Sequence, residues 1–137
     1  MKKKTYPLTY AGKKQQFARA VVVGDFVFLS GSSGRTMETG EVASNNMAEQ
    51  MKVALDKIRA TLTEVGTSMD NIVKTTILLK RIEDYNLMRQ TEREYWQKYS
   101  PRLIEEPPAS TFFQPVSLSK PDMLIEIDAI ATIPKKS

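Results

Sequence analysis

The sequence contains no cysteine and no histidine, and each absence excludes a familiar kind of site. Without cysteine there is no disulfide, no thiol nucleophile and no thiolate ligand for a metal. Without histidine there is no Ser-His-Asp or Cys-His catalytic centre, and zinc sites of the usual kind are not expected. Any catalysis must therefore use carboxylates, lysine, arginine, tyrosine, hydroxyl groups, backbone groups or ordered water. We expect no metal and no cofactor.

The chain also lacks any hydrophobic run that is long enough to cross a membrane or that resembles a signal peptide. Its 137 residues, of which 41% are hydrophobic, are enough to build the core of one domain. We therefore expect a single domain over residues 1–137, with basic tails at 1–16 and 133–137, in a cytoplasmic protein.

The net charge is +4, and an excess of basic residues by itself suggests a nucleic-acid partner. Seven lysines near the two ends account for this excess, and without them 13 basic residues face 16 acidic ones. They are Lys2, Lys3, Lys4, Lys13, Lys14, Lys135 and Lys136. Because few aromatic residues interleave with them, we interpret these lysines as solvated. A nucleic-acid partner is therefore not expected.

A long amphipathic helix followed by an apolar strand is the clearest pattern in the chain. Apolar residues recur three or four apart between 47 and 65, which places them on one face of a helix. Asn46 and Glu49 have the spacing of a capping box, and Gly66 can supply a left-handed stop. Residues 72–80 are rich in β-branched side chains and are predicted to form an interior strand.

Shorter patterns on either side complete the predicted topology. Further strands are predicted at residues 19–23, 26–30, 109–116 and 123–132. Gly24 and Asp25 suit a type II′ hairpin between the first two, and Asp84 is placed to cap a second helix that ends near Tyr99. The later part of residues 1–16 can add an edge strand. The order ββ-α-β-α-ββ predicts an α+β two-layer sandwich, with two helices on one face of a mixed sheet.

Two carboxylates lie on the same face of the last predicted strand. Alternation places Glu126 and Asp128 together, on a side that is otherwise hydrophobic. One interpretation is a solvated outer face or an ion pair with Lys74 or Lys80. The other is that Glu126 lines a partly dry cleft, where burial raises its pKa and it positions a water molecule or moves a proton. Glu126 is the best candidate for a general base.

Three arginines and a run of small residues are candidates for ligand binding. Arg19, Arg35 and Arg89 lie near the ends of predicted elements, and each can receive a carboxylate through two hydrogen bonds, although each alone is more often a surface charge. The small residues 30–34 allow a ligand to approach backbone N–H groups. Their spacing matches neither a P-loop nor a dinucleotide fingerprint, so a plain strand exit is the simpler interpretation.

Several sequence blocks, in the right order, resemble the reactive-intermediate deaminase family, which is also called RidA-like, YjgF or endoribonuclease L-PSP. The blocks are residues 23–31 (VGDFVFLSG), 39–41 (TGE), 73–80 (VKTTILLK), 108–111 (PAST) and 125–131 (IEIDAIA). The resemblance covers about residues 17–132, which is nearly the whole chain.

This resemblance implies a chorismate-mutase-like subunit that assembles as a homotrimer, with ligand clefts between neighbouring subunits. In the deaminase members a glutamate of the last strand holds the attacking water, and an arginine clamps the carboxylate of the substrate. The substrate is a small enamine or imine acid such as 2-aminoacrylate, which is hydrolysed to a keto acid and ammonia. Glu126 falls on the position of the glutamate.

Three positions depart from the family pattern. The arginine position falls on Ser110, which is neutral and cannot clamp a carboxylate. A family tyrosine falls on Phe17, which lacks the hydroxyl group, and a family asparagine falls near Arg89. Losing a charge-assisted anchor reduces the rate by roughly a hundredfold or more. Two outcomes are consistent with this loss: another group, such as Arg89 or Arg19, replaces the clamp for a different substrate, or the cleft binds a ligand without catalysis.

Three functions are consistent with these residues. The leading hypothesis is a metal-free hydrolase or deaminase that acts on an unidentified enamine or imine metabolite, with Glu126 as the base. Its predicted binding residues are Phe17, Gly31, Ser32, Arg89, Ser110 and Thr111. The second is a non-catalytic trimeric protein that binds a metabolite, motivated by the serine and phenylalanine substitutions. The third is a ribonuclease or translation inhibitor, suggested by the older family name and the net charge.

Overall fold

The computed structural model describes residues 2–135, whose strands join into one six-stranded sheet. The strands are β1 (Lys3–Tyr10), β2 (Lys13–Val23), β3 (Phe26–Ser33), β4 (Ile72–Leu79), β5 (Ala109–Phe113) and β6 (Ile125–Thr132). Their order in the sheet is β1-β2-β3-β6-β4-β5. The pair β4–β5 is parallel and the other described pairs are antiparallel. The helices are α1 (Met47–Val65), α2 (Tyr85–Tyr99) and α3 (Arg102–Glu105).

The mixed sheet with its helices confirms the predicted α+β class, with one more strand at the start than the predicted order has. Residues 1–16 were predicted to be a basic tail with at most a late edge strand, and this is wrong for the part that the structure describes. β1 pairs with β2 over its whole length. The strand was not predicted because its inward residues, Tyr6, Leu8 and Tyr10, form only a short alternation that follows a run of lysines. Of the predicted tail at 133–137, residues 136 and 137 lie outside the described part.

The start and end of α1 follow the predicted signals with one difference. The Asn46 side chain accepts the backbone N–H of Glu49 at 3.0 Å, and Gly66 ends the helix with a φ of 101°. The Glu49 carboxylate does not return to Asn46 as a capping box requires. It accepts a hydrogen bond from the Ser44 hydroxyl at 2.7 Å, and the Ser44 oxygen in turn accepts a hydrogen bond from the backbone N–H of Asn46. Ser44 therefore mediates the second half of the cap.

α2 begins at Tyr85 as predicted, although the side chain of Asp84 does not cap it. The Asp84 carboxylate pairs instead with Arg81 at 3.0 Å. On the inner face of α2, Tyr95 and Trp96 are buried in the core, as expected for its aromatic residues. The helix also lies beside β5, which forms one edge of the sheet and ends at Phe113, two residues before Pro115. The position of Pro115 thus agrees with the predicted edge.

The two faces of the sheet differ in what covers them. One face packs its apolar residues against α1 and α2 in a single core. The other face carries Phe26, Phe28 and Phe113, which remain 45–47% exposed in the single chain. The exposed phenylalanines therefore mark a sheet face that the chain itself leaves uncovered. As a separate point, none of the helices within residues 2–135 combines the length and hydropathy that a membrane span requires.

Candidate active site

Glu126 lies on β6, a central strand between β3 and β4. Its neighbours along the strand, Ile125 and Ile127, are fully buried toward the helices, so Glu126 points to the opposite face of the sheet. The predicted alternative of an ion pair with Lys74 or Lys80 is wrong. Lys74 donates to the hydroxyl of Thr111, and Lys80 donates to a backbone carbonyl. The carboxylate of Glu126 is thus half-buried without a lysine bound to it.

Gly31 provides the space that the Glu126 side chain occupies. The pairing between β3 and β6 shifts between Leu29 and Ser32, so Gly31 lies in an irregular part of the ladder. A Cβ atom built at residue 31 would lie 2.0 Å from Oε1 of Glu126, which is far inside van der Waals contact. The family block that ends in Gly31 therefore has a structural reason for its last residue, since only glycine leaves room for the carboxylate.

We expect Gly31→Ala to displace the Glu126 carboxylate. For any reaction in which Glu126 is the general base, kcat/KM should then decrease by about 100-fold, because displacing a reacting group by about 1 Å has such an effect. The backbone at Gly31 lies outside the left-handed region, so alanine introduces no backbone strain there. Steady-state kinetics beside a thermal unfolding curve measures both effects. In a Glu126→Gln background the same substitution should cause no further loss, and full activity of Gly31→Ala would contradict the placement.

The pKa of Glu126 is raised above that of an ordinary glutamate. Burial is the main cause, and the negative charge of Asp128 on the same strand face acts in the same direction. The positive charges of Lys57 and Arg35 oppose the increase without cancelling it. A carboxylate whose pKa is raised toward neutrality is a better proton acceptor than an ordinary glutamate.

Tyr10, Arg35 and Lys57 form a polar cluster near Glu126. The Arg35 guanidinium lies 3.9 Å from the centre of the Tyr10 ring and donates to the carbonyl of Gly40 at 2.7 Å. Lys57 donates to the Arg35 carbonyl at 2.7 Å. Burial lowers the pKa of Lys57 to about 8, helped by Arg35 and opposed by Glu126. Tyr10 was not predicted because β1 was missed, and Lys57 was not predicted because one lysine in an amphipathic helix carries no distinguishing signal.

A second polar cluster surrounds Arg89 on α2. Its guanidinium donates to the Ser110 hydroxyl at 3.2 Å, to the Tyr85 hydroxyl at 3.2 Å and to the Glu92 carboxylate at 3.0 Å. Burial tends to lower the pKa of Arg89, but its bonds to Tyr85 and Glu92 outweigh burial and raise it. Of the five N–H groups of a guanidinium, two have no partner within residues 2–135. Arg89 thus remains charged and able to bind an anion.

A cavity of about 360 Å³ opens beside Arg89, between α2, α3 and the edge strand β5. Arg89, Glu92 and Arg93 line one part of it together with Ser110. The rest of the wall is mostly apolar and is formed by Trp96, Leu103, Ile104, Pro107 and Pro108. The cavity therefore combines positive charge with an apolar wall.

The two clusters lie on opposite faces of the sheet. Ser110 is paired with Thr75, whose side chain is buried on the helix side and donates to the Ser110 hydroxyl at 3.1 Å. Glu126 is paired with Leu78, which is an odd number of residues along β4 from Thr75 and so faces the other way. A single chain therefore does not bring Glu126 and Arg89 together.

Comparison with known proteins agrees with the sequence blocks. The sequence pattern of the family described as endoribonuclease L-PSP, which includes the RidA and YjgF proteins, matches residues 11–133. The chain belongs to this family. A RutC family protein of Pyrococcus abyssi is 35% identical over 115 residues, which are 84% of each chain. The human 2-iminobutanoate/2-iminopropanoate deaminase is 31% identical over 84% of this chain and 78% of its own length.

The fold of the RidA family is also found in solved structures that match this chain. The crystal structure of the Escherichia coli YjgF gene product superposes with a TM-score of 0.78 at 27% identity. The match covers 91% of this chain and 93% of that one. Both the predicted fold and the predicted family are therefore confirmed.

In this RidA family member, the remaining predicted binding residues are arranged in different ways. Phe17 lies on β2 with 54% of its surface exposed. The hydroxyl of Ser32 is buried and donates to the carbonyl of Ala54 in α1 at 2.8 Å, so toward the Glu126 face Ser32 presents only backbone. The hydroxyl of Thr111 is held by the ammonium group of Lys74.

The two other candidate arginines of this family member contact other residues. Arg19 pairs with the Glu64 carboxylate at 2.7 Å and contacts the Thr61 hydroxyl at 3.3 Å. Arg35 stacks on Tyr10 within the cluster near Glu126. Arg89 alone among the three contacts Ser110, the residue at the family's arginine position.

Proposed function

We propose that this protein hydrolyses the C=N bond of a small imine acid, or of the imine tautomer of an enamine acid, and releases ammonia and a keto acid. Membership of the RidA family supports an imine deaminase or a related small-molecule function. The proposal depends most on the Glu126 carboxylate. Burial raises its pKa, and the absence of a side chain at Gly31 leaves room for it. The substrate and the details of the cleft are inferred from this chemistry.

In the proposed reaction, ionised Glu126 accepts a proton from a water molecule as the water oxygen attacks the imine carbon. The new C–O bond forms while the π electrons of the C=N bond move to nitrogen. Glu126 then returns the proton to the nitrogen of the tetrahedral intermediate. The proton of the new hydroxyl group then passes through Glu126 to the same nitrogen, and the C–N bond breaks as the C=O bond forms, which releases ammonia and leaves the keto acid. One water is consumed for each ammonia released, and no oxidant or reductant is needed.

Arg89 is proposed to bind the carboxylate of the substrate in place of the missing family arginine. Two hydrogen bonds from a guanidinium fix both the position and the orientation of a carboxylate. Support comes from the 3.2 Å contact between Arg89 and Ser110 and from the N–H groups that remain free within residues 2–135. Ser110 then holds the guanidinium in position instead of providing the charge itself.

Because Glu126 and Arg89 lie on opposite faces of one sheet, we propose that they meet between two subunits of a homotrimer. The uncovered face with Phe26, Phe28 and Phe113 is apolar enough to be buried in such an assembly. Each cleft would then take Glu126 from one subunit and Arg89 from a neighbour. Sedimentation analysis should give three times the mass of 15.5 kDa.

The rate should increase with pH through the raised pKa of Glu126, since the ionised form is the base. We expect Asp128→Asn to move the acidic limb of the pH–rate profile to lower pH, because the substitution removes a negative charge that raises the pKa of Glu126. Lys57→Met should move the limb to higher pH, because it removes a positive charge that lowers it. Profiles of log kcat/KM against pH for the three proteins test both directions. Shifts of the same sign in both variants would contradict the assignment.

The proposed activity is tested by generating imino acids in situ with an amino acid oxidase and measuring how much faster the keto acid and ammonia appear. Acceleration by the wild-type protein supports the proposal. Saturable binding of these acids without any acceleration would instead fit the non-catalytic alternative. A cytoplasmic location remains a prediction.

A further inference from the structure

We propose that the cavity between α2, α3 and β5 is a side-chain pocket that selects acids with a bulky apolar substituent next to their carboxylate. This inference rests on the proposed function, because it uses Arg89 as the carboxylate anchor. It extends that function to the class of substrate, namely imino acids with a branched aliphatic or aromatic side chain.

The cavity is larger than a three-carbon acid requires. Its volume is about 360 Å³, which is within the range of pockets that bind molecules larger than a three-carbon acid. An acid as small as 2-aminoacrylate would leave most of this space empty. A larger substituent would fill the space and remove more apolar surface from water.

The wall of the cavity combines polar and apolar side chains. Arg89 and Ser110 line it and are in contact with each other. Trp96, Ile104 and Pro108 provide apolar surface in the same cavity. A carboxylate bound to Arg89 would therefore have apolar side chains available for its substituent.

The charged side chains of the cavity are mostly basic. Glu92 pairs with Arg89, and burial raises the pKa of Glu92 while Arg89 opposes that increase. Arg93 also lines the cavity and forms no ion pair within residues 2–135. The two arginines outnumber the one carboxylate, so the cavity favours an anionic ligand.

The chain contains a single tryptophan, Trp96, and it lines this cavity, so its fluorescence reports binding directly. We would titrate the protein with 4-methyl-2-oxopentanoate, a keto acid with an isobutyl substituent, and separately with pyruvate. The expected result is a saturable change in Trp96 emission, with a Kd for the larger acid lower by about tenfold or more. An equal or weaker response to the larger acid would overturn the inference.

A matched pair of variants tests the location. Ile104→Phe narrows the cavity and should weaken binding of the larger acid by about fivefold or more while leaving pyruvate unaffected. Ile82→Phe makes the same change at an exposed residue that does not line the cavity and should alter neither affinity. Full affinity of Ile104→Phe for the larger acid would place the ligand elsewhere.

The same measurements separate this inference from the proposed function. Accelerated imine hydrolysis without any change in Trp96 emission would overturn the side-chain pocket and leave the deaminase proposal intact. A selective change in emission without hydrolysis of any imino acid would overturn the deaminase proposal and leave the pocket as a binding site for bulky acids. Acceleration that is greater for the imine of leucine than for that of alanine would support both.

Discussion

Glu126→Gln is expected to lower kcat/KM for imine hydrolysis by about 10²- to 10⁴-fold, the contribution usual for a positioned general base. Glutamine has nearly the same shape but cannot accept a proton from water. The measurement is keto acid formation from imino acids generated in situ. Glu83→Gln makes the same change at an exposed residue before α2 and should leave the rate unchanged.

The stability of this variant provides an independent check of the environment of Glu126. Because burial raises the pKa of Glu126 in the folded protein, the folded state retains its proton to a higher pH than the unfolded state does. The wild type should therefore lose stability relative to Glu126→Gln as pH increases from the ordinary pKa of a glutamate through the raised one. Urea unfolding at several pH values measures this difference. Full activity together with a constant stability difference would contradict the role of Glu126.

Arg89→Met is expected to lower kcat/KM by about 100-fold or more, because it removes the charge that binds the carboxylate while keeping an apolar side chain of similar length. Arg81→Met is the matched control. Arg81 also pairs with a carboxylate three residues later on the chain, Asp84, but it does not line the cavity. The Arg81→Met variant should therefore leave the rate unchanged.

A second variant makes the test of Arg89 more specific. Ser110→Arg returns an arginine to the position that the family uses. In the Arg89→Met background it should recover part of the lost activity, because a guanidinium again reaches the carboxylate. Unchanged kinetics of Arg89→Met would show that another group binds the carboxylate. An equal decrease of kcat/KM in Arg81→Met would show that the loss of an ion pair, and not the loss of the carboxylate anchor, causes the effect.

Local sequence signals predicted the parts of the fold that depend on neighbouring residues. Asn46 and Gly66 defined the ends of α1, and two-residue alternation correctly placed Glu126 opposite the buried Ile125 and Ile127. β1 was missed because its inward residues lie between two groups of lysines, and overall hydrophobicity there is low. Hydrophobic pattern is therefore a weaker guide at a charged edge strand than in the centre of a sheet.

The candidate site could be predicted only in part, since its contacts join distant segments. Arg89 and Ser110 are 21 residues apart, and their contact depends on how α2 and α3 return the chain to the edge of the sheet. The separation of Glu126 and Arg89 by the sheet depends on the order of the strands and on the register of β4 with both neighbours. A sequence pattern shows which residues share a face but not which strands pair.

The most direct test of the account is to combine two inactive subunits. Glu126→Gln and Arg89→Met chains carrying different tags would be co-expressed, and the mixed oligomers would be purified and assayed. If each cleft takes Glu126 from one subunit and Arg89 from its neighbour, each mixed trimer contains one wild-type cleft, so about one third of the wild-type sites are restored in the closed ring. Mixed oligomers as inactive as the parents would contradict a catalytic site shared between subunits.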